Sequence, residues 1–149
     1  MRWIACAFVA VLALQAASNR GDRAEYIGGT LADLPKAGGY IDVTGEECFR
    51  FQTGRTFVEV PYSNINILEY GQKVDRRYIM AIAISPLLLL SKKRAHFLTI
   101  GYEDADGRQQ ALVFRVEKGH IRAVLVSLEA KTGRKVEYQD TEARKAGAS

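Results

Sequence analysis

Two hydrophobic periods run through the second half of the chain and predict different elements. Residues 96–103 set Leu98, Ile100 and Tyr102 on one side, and residues 108–116 do the same with Leu112, Phe114 and Val116. A two-residue repeat is that of a strand with one buried face. Asp104-Ala105-Asp106-Gly107 lies between them, and Asp-Gly suits a turn with positive φ, so the pair predicts a β-hairpin. Further on the repeat lengthens. Ile121, Val124, Leu125 and Leu128 fall at i, i+3, i+4 and i+7, which predicts a helix over 120–132 with one apolar face. Gly119 breaks the chain before it and Gly133 stands at the C′ position, while Lys131 suits the negative end of the helix dipole.

The first half carries shorter alternating runs, predicting strands over 26–34, 40–43, 48–52, 56–60 and 64–70. Phe49 and Phe51 share a face of one, Ile65 and Ile67 a face of another. Turn residues separate them: Pro35 with Gly38-Gly39, then Thr44-Gly45-Glu46, Thr53-Gly54-Arg55, and Pro61, which cannot donate to a ladder. Glu46 and Glu47 read as solvated turn residues. Short strands at this spacing predict a mainly β fold (β-rich α+β), an antiparallel barrel or sandwich capped by the C-terminal amphipathic helix. One domain is expected over 26–138, preceded by a polar leader at 19–25 and followed by a charged tail at 139–149.

Residues 79–90 fit neither period. They read Ile-Met-Ala-Ile-Ala-Ile-Ser-Pro-Leu-Leu-Leu-Leu, with Arg76 and Arg77 before them and Lys92, Lys93 and Arg94 after. As a helix the run would reach only about 18 Å against a hydrocarbon core of about 30 Å, so it does not span a bilayer. Pro86 also disfavours helical geometry at Ser85. Three readings stay open: burial against the sheet, shallow insertion at a membrane interface with the basic flanks on anionic headgroups, and an association surface. The candidate contact residues are Arg76, Arg77, Ile79, Ile82, Leu87, Leu88, Leu89, Leu90, Lys92, Lys93 and Arg94. Their expected partner is a membrane surface, an envelope protein or a second copy of the chain.

The N-terminus bears on which of these is available. Arg2, the apolar run from Trp3 to Leu14, and the small residues Ala16, Ala17 and Ser18 follow the order of a secretory signal peptide. The expectation is a secreted or periplasmic protein beginning near Asn19, either free or peripheral to a membrane. Arg2 is the only charged residue in that segment, so its removal lowers the net charge from +4 to about +3. That is too mild to argue for nucleic acid. Cys6 leaves with the signal, and Cys48 then stands alone, with no intrachain disulfide to form; it reads as a buried strand residue.

Little catalytic chemistry is visible. His96 and His120 each stand alone, without the spacing of a metal site, and there is no Gly-x-Ser-x-Gly elbow or phosphate-binding glycine loop. Asp104-x-Asp106-Gly107 shares the opening of a calcium loop but lacks its later ligands, so a plain turn is expected. His96 reads as a surface histidine, His120 as a residue at the helix start, and Tyr62-Ser63-Asn64 as a polar turn. No enzyme activity, cofactor or metal is expected. A small hydrolase would require His96, Asp104 and His120 to converge in one pocket.

Two stretches carry a family likeness: Val60-Pro61-Tyr62-Ser63-Asn64-Ile65-Asn66-Ile67-Leu68, and the run from Phe97-Leu98-Thr99-Ile100 through Leu128-Glu129. Together they resemble the pleckstrin-homology-like or GRAM-like domains of bacteria, in a proline–tyrosine step into an isoleucine-rich strand and in a strand–turn–strand–helix ending. The resemblance covers roughly residues 26–138. It implies a partly open antiparallel barrel or sandwich capped by the helix, in a family of mostly non-catalytic modules that bind lipids, peptides or proteins. Residues 76–94 depart from the pattern, being longer and more apolar than a usual strand connection. No lipid-binding residue carries over.

Overall fold

The computed structural model describes residues 21–72, 74, 95–139 and 144–145. Eight strands among them form one sheet: β1 (Asp22–Gly29), β2 (Gly38–Asp42), β3 (Cys48–Thr53), β4 (Thr56–Pro61), β5 (Ile65–Gly71), β6 (His96–Glu103), β7 (Gln109–Val116) and β8 (Glu137–Tyr138). Their spatial order is β4-β3-β2-β1-β7-β6-β5-β8. Every pairing is antiparallel except β5 with β8, which is parallel. β4 and β8 end the sheet without meeting, so it is open. One helix, α1 (Ile121–Thr132), follows β7. The fold is mainly β, as the alternation predicts.

The main core lies on one face. Phe49, Phe51, Leu98, Ile100, Leu112 and Phe114 are buried there, together with Val124 and Leu128 of α1. The four predicted helix positions are thus the four that α1 buries. Aromatic rings hold the centre, Phe51 and Phe114 having centroids 4.8 Å apart in a tilted contact. Gly133 closes α1 in the left-handed region at φ 68° and donates its N–H to the Glu129 carbonyl.

A second, smaller cluster occupies the opposite face, where Ile27, Phe97, Ala111, Val113 and Val74 are buried with Ala95 beside them. Strand β6 is therefore buried on both sides, and all residues from His96 to Tyr102 are shielded. Val74 and Ala95, which bracket residues 75–94, both belong to this cluster.

The structure corrects several expectations. Strand β1 starts at Asp22, inside the predicted leader, and ends at Gly29, well before Leu34. A bulge between Ile65 and Ile67 in β5 puts these two residues on opposite faces; Ile65 is buried in the core and Ile67 lies over Gly101. Cys48 opens β3 and is only partly buried. Tyr62–Asn64 form a 3₁₀ turn whose first residue, Tyr62, is core rather than loop. The predicted signal segment, every candidate contact residue from Arg76 to Arg94, and most of the tail lie outside the described residues.

Candidate functional site

Strand parity decides which side chains meet on the outer face. In β1, Ala24 and Tyr26 point into the core, so Arg23 and Glu25 point outward. In β7, Phe114 and Val116 point inward and Arg115 outward. The register sets Glu25 opposite Arg115 and Arg23 opposite Tyr40 of β2. A groove of about 950 Å³ opens along this surface, lined by Arg23, Glu25, Gly38, Tyr40, Arg115 and Lys118, with Gln72, Ala95 and His96 at its far side. Glu117 also reaches it.

The charges in the groove are unevenly engaged. Arg115 donates to the Glu25 carboxylate in an ion pair between β7 and β1, each side chain little more than one-third exposed. Among the described residues no hydrogen bond or ion pair engages the side chain of Arg23 or Lys118. Among the described lining residues three cations thus face two carboxylates, and one pair neutralises itself. Gly38 stands across from Glu25, and a Cβ there would meet nothing within 4 Å.

His96 is not the surface histidine that its position after Lys92-Lys93-Arg94 suggests. It is 6% exposed, and its Nδ1 lies 2.9 Å from the Tyr70 hydroxyl. Asp104 sits beyond the other end of β6, about 26 Å away at eight residues of strand rise. Its Oδ1 accepts from the backbone N–H groups of Asp106 and Arg108, both at 2.9 Å, and its Oδ2 from Gln110 at 2.7 Å. These bonds hold its carboxyl below the usual range. Gly107 completes the turn at φ 75°. His120 precedes α1, two-thirds exposed, with Nδ1 4.0 Å from Asp22. The three residues a hydrolase would need do not converge. Among the described residues no group of three or more His, Cys, Asp or Glu could hold a metal ion.

Sequence reasoning missed Arg23, Glu25, Tyr40, Arg115 and Lys118. The signal was present in Arg115, the polar member between Phe114 and Val116, but its partner Glu25 is 90 residues away. Conversely, Gln72 and Ala95, on either side of the predicted contact segment, both line the groove. No family model, curated protein or solved structure matches the chain.

Proposed function

We propose that the protein is an exported, non-catalytic binding module of pleckstrin-homology-like or GRAM-like type that works at an anionic membrane surface. The observation that carries this reading is the position of the groove. Gln72 and Ala95 flank the apolar-basic segment and line the groove with Arg23, Arg115 and Lys118. Arg76, Arg77, Lys92, Lys93 and Arg94 lie between Gln72 and Ala95 in the sequence, and the described lining of the groove holds three cations and two carboxylates. Each basic residue held near an anionic surface adds about 1 kcal/mol of attraction, so a cluster of this size suffices for reversible attachment. The antiparallel strands and the helix packed into their core support the family resemblance. The signal-like residues 1–18 support export.

Co-flotation of the chain from residue 19 with vesicles tests the reading. Binding to anionic vesicles that weakens with salt is expected. Binding to neutral and anionic vesicles alike would shift the attachment to the apolar residues Ile79, Ile82 and Leu87 to Leu90. Absence of binding to either would overturn the membrane reading.

A second reading, a self-associating envelope protein, is favoured by β4. That strand has one neighbour in the sheet and carries Phe57, 58% exposed. Sizing the protein with and without mild detergent distinguishes it, since a dimer that persists in both would support self-association.

A further inference from the structure

The two edges of the sheet differ in what they offer a partner. β8 is two residues long, too short to template another strand. β4 is six residues long, and its pairing with β3 runs from Thr53–Thr56 to Cys48–Pro61 without a bulge. An unbroken edge strand carries a row of backbone groups that a further strand can bond. We propose that β4 pairs antiparallel with β4 of a second copy, about a two-fold axis at Phe57, joining two sheets into one. This rests on the self-association reading above and names its contact.

Backbone parity selects the groups that face outward. Gly54-Arg55 is a two-residue turn, so Thr53 and Thr56, which flank it, form a hydrogen-bonded pair. Alternation then turns the N–H and C=O groups of Val58 and Val60 toward β3, and those of Phe57 and Glu59 toward the open edge. Neither Phe57 nor Glu59 makes a backbone bond outside the sheet. Pro61, the next residue of that set, has no N–H, so the usable edge ends at Glu59.

Side chains then choose the register. Phe57 can stand opposite Pro61, Glu59 or Phe57 of the second copy. Opposite Pro61 it gains no N–H and sets the two Glu59 carboxylates against each other. Opposite Glu59 it faces a carboxylate. Opposite itself it makes an aromatic cross-strand pair and brings Arg55 beside Glu59 of the other copy, twice by symmetry. The side chains are free for this. Phe57 is 58% exposed, with the Arg50 guanidinium 5.4 Å from its ring centre. Arg50 donates twice to Oε1 of Glu59, which leaves Oε2 for a second donor. Arg55 is exposed, and among the described residues no hydrogen bond or ion pair engages its side chain. A single strand pair is a small contact, and small interfaces make transient complexes. The dimer is therefore expected to form and dissociate with concentration.

Sedimentation velocity of the protein over a concentration series, at low salt and without detergent, tests the pairing. A monomer–dimer equilibrium is expected. A monomer at every concentration up to millimolar would overturn both this inference and the self-association reading. Two variants of opposite charge test the register. Arg55→Glu sets a carboxylate opposite Glu59, and Glu59→Lys sets an ammonium opposite Arg55. Each alone is expected to dimerise about tenfold more weakly than the parent. Mixed in equal amounts they restore both attractive pairs, and a heterodimer of near-parental affinity is expected. Phe57→Thr keeps a strand-forming residue and is expected to weaken the dimer by a similar factor. All three positions are exposed, so the variants keep the fold. Variants that dimerise as the parent does would overturn the edge assignment, while self-association through another surface would stand. Weakened variants that do not recover on mixing would overturn the register and with it the inference.

Discussion

Tyr70 and His96 lie ring on ring in the core, centroids 5.5 Å apart and planes 13° from parallel, with the tyrosine hydroxyl 2.9 Å from Nδ1 of the imidazole. The contact ties β5 to β6 at the end where the chain leaves one strand and returns to the other. Tyr70→Phe keeps the stack and removes the hydroxyl from a buried nitrogen. A partner lost in the interior costs about 1–3 kcal/mol. Urea unfolding is expected to show a lower midpoint with an unchanged slope; an unchanged midpoint would mean the hydrogen bond contributes nothing.

Two tyrosines bear on alkaline stability. Burial pushes the Tyr26 hydroxyl up to about 12, with Tyr102 adding to the shift. Tyr62 is likewise raised to about 12, by burial first and then by Asp42, Cys48 and Glu46. A raised value means the folded state keeps its proton longer than the unfolded chain. Stability is therefore full below pH 10 and falls as pH rises toward 12. Tyr26→Phe is expected to reduce that fall. Chemical unfolding at a series of alkaline pH values checks it, and identical pH profiles for parent and variant would refute it.

Adjacent glycines in β2 should respond in opposite ways. A Cβ on Gly39 would lie 2.1 Å from the Gln52 carbonyl oxygen and 2.8 Å from Phe51, so β2 and β3 would have to part. Overpacking of this kind costs about 1–3 kcal/mol. Gly38 has a clear surrounding and a φ outside the left-handed region. Gly38→Ala is then expected to be neutral or to stabilise by about 0.4–1 kcal/mol by restricting the unfolded chain. Thermal melts of the two variants, compared with the parent, decide it.

Lys131 fastens the end of α1 to the β2–β3 turn. Its ammonium donates to the Gly45 carbonyl at 2.5 Å and sits 3.6 Å from Glu46 and 5.4 Å from the centre of the Tyr62 ring. Lys131→Met retains the stem and removes the donor. A loss on the order of 1–2 kcal/mol is expected, with little sensitivity to salt because the main acceptor is a backbone carbonyl. A loss that disappears in high salt would instead assign the effect to Glu46.

Where residues interact with near neighbours, the sequence was readable. The β6–β7 hairpin is set by Asp104 and Gly107 and by inward residues at every second place; α1 by its four apolar positions. What escaped depended on distance along the chain. Asp22 to Glu25 look like a polar leader because the inward residue among them, Ala24, is too small to mark a pattern, and because the partner of Glu25 lies in β7. His96 looks exposed beside a basic cluster until Tyr70 folds against it. The two residues of β8 are too few to show any period. The candidate site was hidden for the same reason: its members are the outward residues of strands distant in sequence, brought together only by the register of β2, β1 and β7.

Strand β6 has no wet side between His96 and Tyr102, and β5 and β7 flank it along its length. Its backbone amides then have no partial opening through which to meet solvent. They should exchange with deuterium only when the whole domain comes apart. The slowest protons in this chain would consequently serve as a built-in gauge of global stability, readable without denaturant, while those of the outermost strand β4 report only local fraying.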